Sequence, residues 1–319
     1  MDNAPRPEND PSWERKTLEK LAFAALSEQR ARRRWGLFFK LLGFVYVSFI
    51  VFSLVDWNAA KVADKHVALV QLRGVIAPQS EASAENLMAS LNSAFEAPNS
   101  QAVILRINSP GGSPVQAGMV NDEIRRLRGK YPDKPFYAVV EDICASGGYY
   151  IAAAADNIYV DKASIVGSIG VLMDGFGFTG TMDKLGVERR LLTAGGNKGF
   201  LDPFSPQVEE QTAHARSLLA SIHQQFIEVV RAGRGKRLQE NEEIFSGLMW
   251  TGEQSIALGL ADALGSVDSV ARDVVKNEEV LDYTVKENLA ERFAKRFGAG
   301  AVDSLWQGLN SRLLGPSLH

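Results

Sequence analysis

Residues 36–55, GLFFKLLGFVYVSFIVFSLV, constrain this chain more than any other stretch. Twenty residues carry a single charge, Lys40, near the N-terminal end. At a helical rise of about 1.5 Å per residue, such a run crosses roughly 30 Å, the hydrocarbon thickness of a bilayer. A soluble helix keeps a polar face, so five turns without one argue against a buried core helix. A cleaved signal peptide fits poorly as well. The basic region lies about 30 residues into the chain, and Asp56-Trp57-Asn58 offers no small-x-small cleavage site. The stretch therefore reads as an uncleaved transmembrane signal anchor. Arg30, Arg32, Arg33 and Arg34 precede it. The positive-inside rule then leaves residues 1–35 as a cytoplasmic tail and sends everything after about residue 56 outside the cytoplasmic membrane. Lys40 snorkels towards the headgroups, and Trp35 and Trp57 bracket the span as interfacial anchors. Within the tail, residues 14–26 have the spacing of a short amphipathic helix.

The rest of the chain reads as globular. Of 319 residues, 45% are hydrophobic and 23% charged, so a disordered or collagen-like chain is excluded. A net charge of −3 gives no bulk electrostatic pull towards nucleic acid. The lone Cys144 excludes an intramolecular disulfide framework and any zinc site built of several thiolates. His66, His214, His223 and His319 are scattered, without an HExxH pair, so no zincin-type metal site is expected.

Residues 66–275 alternate between strand-like and helix-like patterns. Short apolar runs rich in β-branched residues, VALVQL (67–72) and AVILRI (102–107), read as buried strands; 136–140 and 157–160 are similar. Leu87, Leu91, Ala94 and Phe95 mark one face of a helix between the first two. Ser113-Pro114-Val115-Gln116 combines a capping serine, a proline at the first helical position and a glutamine three residues on, and so opens another. Ser205-Pro206 is expected to start a longer helix with Leu218, Leu219, Ile222, Phe226 and Val230 as its stripe. Thr251-Gly252-Glu253-Gln254 is a further capping box, with Gly259 as the stop. Repeated strand–helix units predict an α/β domain over 56–275 with a largely parallel sheet. Residues 276–319 are more polar and read as a helical extension, a subunit contact or a tail; 289–297 is a helical patch within them.

Two glycine pairs follow strands. Asn108-Ser109-Pro110-Gly111-Gly112-Ser113 is either a plain tight turn or an oxyanion site, because glycine N–H groups at a helix start converge with no side chain in the way. Cys144-Ala145-Ser146-Gly147-Gly148 leads from a strand into a helix that runs through 151–155. Ser146 is then either an ordinary N-cap or a nucleophile on a strand-to-helix elbow, with the Gly147 N–H as an oxyanion donor. A serine nucleophile needs a base. No histidine lies between residues 67 and 213, and His214 and His223 fall on the long helix, which leaves lysine. Lys162 follows Asp161, whose charge favours the protonated amine, and Lys184 lies in a charged stretch. Lys198, in Gly195-Gly196-Asn197-Lys198-Gly199-Phe200-Leu201, is either an exposed loop lysine or a closely packed, desolvated amine able to act as the base.

Together these stretches resemble the signal peptide peptidase A (protease IV) family, short single-domain membrane-anchored form. The resemblance rests on LRINSPGGSPVQAG (105–118), VEDICASGGYYIAAAADNIYV (140–160), VGSIGVL (166–172), GGNKGFLDPFSP (195–206) and MWTGEQSIALGLADALG (249–265). It covers about residues 66–275 and implies a ClpP/crotonase-like fold. It further implies Ser146 as nucleophile, Lys198 as general base, Ser168 as the hydroxyl that orients the lysine, and Gly111 and Gly147 as oxyanion donors, with Gly112 a close rival to Gly111. A ring-like homo-oligomer, with the serine and lysine of one site drawn from neighbouring subunits, is also implied. The implied substrates are residual signal peptides and similar apolar peptides, cut at the outer face of the membrane without metal or nucleotide. Two competing readings remain: a crotonase-like acyl-CoA enzyme, which needs no serine nucleophile, and a non-catalytic membrane scaffold ring.

Overall fold

The computed structural model describes residues 11–54 and 64–285, which fall into two compact units divided after Val62. The first unit contributes one helix, α1 (Pro11–Leu54), 44 residues long. Its apolar residues from Leu37 to Phe49, among them Phe38, Leu41, Phe44 and Val45, are exposed. The side chains of residues 50–54 and all of residue 55 lie outside the described residues. Among the described residues, no helix is long and apolar enough to cross a membrane.

The second unit is an α/β domain on a mixed, mostly parallel sheet. Its strands are β1 (His66–Arg73), β2 (Ser100–Ser109), β3 (Phe136–Ala145), β4 (Asn157–Val160), β5 (Ile165–Gly167), β6 (Met249–Thr251), β7 (Ala263–Leu264) and β8 (Val280–Asp282). The main order is β6-β5-β3-β2-β1-β8, with β4 on β3 and β7 on β4. Among the described residues, only the β5–β6 pairing is antiparallel. The length of β3 lets it serve two neighbours. Tyr137–Val139 pair with β4, and Ile143–Ala145 pair with β5.

The apolar run of β1 is buried on both faces, as a central parallel strand requires. Ala68, Val70 and Leu72 join the larger core, while Val67 and Leu69 join a smaller one on the opposite face. The larger core is closed by α2 (Ala84–Glu96), α3 (Pro114–Lys130), α4 (Gly147–Ala152) and α6 (Glu209–Arg234). The smaller core is closed by the helical segment 267–275, through Val270 and Ala271.

Local chemistry sets the helix starts. Ser83 and Ser113 cap α2 and α3 by accepting the N–H of Asn86 and Gln116, each at 3.4 Å. The Gln116 carboxamide does not return to its own cap but takes the N–H of Ala84 at 2.8 Å, tying α3 to α2. Thr251 and Gln254 form the expected reciprocal capping box on α7 (Gly252–Ala257), and Gly259 follows with φ +70°. The long helix α6 starts later than its sequence suggests, at Glu209. The Ser205 hydroxyl is given to Asp202 at 2.7 Å and caps nothing. The sheet also reaches past residue 275: β8 pairs with β1, and Asn277 anchors the approach by donating to Lys65 O at 2.8 Å. The helical patch at 289–297 lies outside the described residues.

One close approach fixes how α6 lies on the layer beneath. A Cβ at Gly233 would sit 1.9 Å from Ala153 O, a backbone atom that cannot yield. Gly233→Ala should therefore push the helix off the turn after α4 and cost about 3 kcal/mol, the upper part of the usual overpacking range. A denaturant melt reads this, and an unchanged midpoint would show that the contact is slack.

Candidate active site

The C-terminal ends of β3 and β5 meet in register, with Ala145 opposite Gly167. The next residues, Ser146 and Ser168, therefore leave adjacent strand ends side by side. Both have left-handed backbones, φ 51° and 52°, a conformation that costs a non-glycine residue about 1–3 kcal/mol. Surrounding bonds impose it. Ser146 donates its N–H to Gly167 O at 2.9 Å, and Ser168 donates to Leu248 O at 2.7 Å. Ser146 stands at the N-cap position of α4, yet its side chain makes no capping bond. The hydroxyl is thus free for other chemistry.

Both serines line one cleft of about 590 Å³, together with Gly112, Gly147, Tyr150 and Phe226. Its walls come from the glycine turn after β2, the start of α4, the segment after β5 and the middle of α6. Tyr150 and Phe226 lie with ring centroids 5.1 Å apart, giving the cleft an apolar wall. A small or apolar peptide side chain suits such a wall better than a charged one.

The glycine turn supplies donors, though not in the pairing first expected. The Gly111 N–H donates to Ser109 Oγ at 3.1 Å and is spent there. Gly111 itself presses on the serine turn, since a Cβ on it would meet Gly147 N at 2.7 Å. Its carbonyl accepts from Ile76 N at 2.8 Å. In a trans peptide the C=O and N–H point in opposite directions, so the Gly112 N–H points away from Ile76. No hydrogen bond among the described residues engages the N–H of Gly112 or of Gly147. These two N–H groups are free donors beside Ser146.

Lys198 is not brought to Ser146 within the chain. It lies exposed in an arm, residues 171–208, that includes the short helix α5 (Thr179–Leu185). Its loop is tied to α6 by Gln211, which accepts from Leu201 N and donates to Asn197 Oδ1, each at 3.3 Å. No hydrogen bond or ion pair among the described residues engages the Lys198 amine. A closely packed amine is therefore not what a single chain presents. The arm leaves Leu172 80%, Phe176 81% and Leu192 97% exposed. Lys162 is exposed elsewhere, and Lys184 is exposed on α5 of the same arm. His223 Nε2 lies 3.1 Å from Ile169 O, and His214 packs edge-on against Phe200; among the described residues neither hydrogen-bonds Ser146. Burial pushes the Cys144 thiol far up, which removes it as a nucleophile.

Residues 129–281 match peptidase family S49, and the matched stretch contains Ser146, Ser168 and Lys198. That stretch is a peptidase S49 domain. Proteins named as proteases share its sequence. One is the chloroplastic serine protease SPPA of Arabidopsis thaliana, 30% identical over 67% of this chain and 31% of that one. An Enterococcus faecium protein named as a signal peptide peptidase SppA is 28% identical over 78% of this chain and 74% of its own length. A Brucella melitensis protein named Na(+)/H(+) antiporter NhaA is 47% identical over 57% of this chain, but only 25% of its own length. The chain thus spans about a quarter of the length of the first curated relatives it matches. What the antiporter name states belongs to those proteins as wholes. Among solved structures, a membrane-bound stomatin-specific protease is 14% identical with a TM-score of 0.42, over 71% of this chain and 100% of that one. That likeness is too loose to bear on the site.

Two features of this geometry did not emerge from the sequence: Ser109 stood in a quoted motif without its bond to the Gly111 N–H, and Gly112 was ranked behind Gly111, whose N–H that bond occupies. The signal for both was the polar Ser109 in a strand that is otherwise apolar towards its core.

Proposed function

We propose that this chain is a membrane-anchored serine endopeptidase in which Ser146 attacks the peptide carbonyl and Lys198 of a neighbouring subunit is the base. The observation that carries this reading is the strained Ser146, held with a free hydroxyl beside two unspent N–H groups in an apolar-walled cleft. Strain of that kind persists where the surroundings enforce it, and it clusters at sites of chemistry.

In the proposed reaction, neutral Lys198 takes the Ser146 proton as Oγ adds to the carbonyl carbon. The oxyanion is received by the N–H groups of Gly112 and Gly147. The lysine then passes its proton to the leaving amine, and water hydrolyses the acyl-enzyme with the same amine as base. Ser168, one strand over from Ser146, orients the amine. The exposed apolar arm supports an assembly in which a second copy covers it, in keeping with the ring and ClpP/crotonase-like fold that the family resemblance implies. Residues 36–55 are the proposed anchor, which holds the peptidase domain at the outer face of the cytoplasmic membrane. Released signal peptides and similar apolar peptides are the proposed substrates. The crotonase-like and scaffold alternatives leave the strained serine without a task.

Ser146→Ala and Lys198→Ala should each lower peptidase activity by at least about 10³-fold on a small apolar peptide, without changing the melting temperature. Near-normal turnover by Lys198→Ala would remove the amine from the mechanism. Activity should also fall as pH drops and the base takes up a proton; a flat profile down to pH 5 would speak for a different base.

A further inference from the structure

Ser109 ends β2, opposite Cys144 of β3, and is fully buried. It has no path to substrate, yet its hydroxyl is engaged twice. It donates to Gly74 O at 2.6 Å and accepts the Gly111 N–H at 3.1 Å. Gly148, in the first turn of α4, closes over it: a Cβ there would meet Ser109 O at 3.1 Å and Ser109 Cβ at 3.5 Å. One small side chain thus links the end of β1, the glycine turn and the helix that carries the nucleophile.

The two peptides of the glycine turn are held by different groups and meet at Gly111, so the turn keeps its orientation only with both bonds in place. Ser109 holds the peptide between Pro110 and Gly111 by its N–H. Ile76 holds the peptide between Gly111 and Gly112 by its carbonyl, at 2.8 Å. On the far side, Ser113 N donates to Ile76 O, also at 2.8 Å. Gly112 tolerates no side chain in this arrangement, with φ +149° and a Cβ position 2.1 Å from Ile76 O. Two consequences follow. The Gly111 N–H is withdrawn from the cleft, and the Gly112 N–H has one direction left to it.

We infer that Ser109 is a positioning residue for the oxyanion site: its hydroxyl holds the glycine turn so that Gly112, rather than Gly111, presents its N–H beside Ser146. The inference rests on the proposed serine peptidase reading. Loss of the hydroxyl frees the Gly111 N–H and the Gly74 carbonyl inside the protein, and the turn rotates to satisfy them. The Gly112 donor then swings off the developing oxyanion. Ground-state binding in the apolar cleft is untouched, so the defect falls on kcat.

The test compares Ser109→Ala, Ser109→Thr and Ser109→Val in the full chain, with Ser146→Ala alongside. Thr and Val share a shape and differ by the hydroxyl alone, so steric cost is common to both. Expected is a fall in kcat of about 10²-fold for Ala and Val, with KM within about 3-fold, and recovery in Thr. Affinity for an apolar tetrapeptide aldehyde, whose adduct with Ser146 places an oxygen in the same hole, should fall in step with kcat. Should the Ala variant fail to fold, the Thr and Val pair carries the comparison. Equal kcat for Thr and Val, or normal kcat in Ala, with Ser146→Ala inactive, overturns the role of Ser109 and leaves the nucleophile standing. Activity surviving in Ser146→Ala overturns the peptidase reading itself, and the inference with it.

Discussion

Mixing Ser146→Ala chains with Lys198→Ala chains should restore peptidase activity that neither has alone. Within a single chain the exposed Lys198 has no contact with Ser146, and its arm leaves large apolar side chains uncovered. If each site takes its serine from one copy and its lysine from the next, an assembly of the two variants rebuilds intact sites. Random mixing at equal amounts gives about a quarter of the sites both groups, as in any heterologous ring interface. Activity should therefore rise from background to roughly a quarter of wild type once the chains are unfolded and reassembled together. If lysine and serine belonged to the same chain, no mixture would contain a complete site, and activity would stay at background.

The second large effect is on stability. Arg234 of α6 is buried, 1% exposed, and forks onto Asp262 at 2.9 and 2.8 Å, while its Nε donates to Gly259 O at 2.8 Å. Asp262 also accepts from Ile158 N at 2.7 Å and from Arg237 at 3.1 Å. Burial by itself would raise the Asp262 pKa. The hydrogen bonds from Arg234 and the Ile158 N–H, with the charges of Arg234 and Arg237, outweigh it and hold the carboxyl below its usual range. Arg234→Ala leaves that carboxylate short of its main partner and should cost about 3–5 kcal/mol. The pH dependence follows from the sign of the shift. A depressed folded-state pKa gives stability that is fully present above the unfolded value of about 4 and lost as pH falls through the folded one. The gap between wild type and Arg234→Ala should therefore narrow as pH is lowered from 7 towards 4 and below. Urea melts across that range test it. A constant gap would mean that Asp262 does not sense Arg234.

Much of the domain was legible because its strands are apolar on both faces. The runs at 67–72 and 102–107 stand out from any amphipathic helix and correspond to β1 and β2. Ser113 and Thr251 disclose helix starts because a cap is a local event. Non-local events were hidden. The three residues of β8 carry no pattern of their own, and only the open edge of β1 makes them a strand. Ser205 resembles a cap until Asp202, three residues earlier, takes its hydroxyl. Arg234 and Asp262 are indistinguishable from surface charges until α6 and the turn before β7 bring them together. The site shows the same division. Ser146 on its elbow follows from neighbouring residues, whereas the choice between Gly111 and Gly112 depends on Ser109 and Ile76 across three elements. The base is a non-local matter as well, since the arm bearing Lys198 leaves its apolar side chains bare in a single copy.

The most direct measurement is a structure of the assembled protein in which the distance from Ser146 Oγ to the nearest lysine Nζ is read. The account predicts Lys198 of an adjoining copy within about 2.6–3.2 Å of that oxygen, with the Ser168 hydroxyl in reach of the same amine. An assembly in which the arm is ordered and every Lys198 amine points to solvent, far from any Ser146, would contradict it.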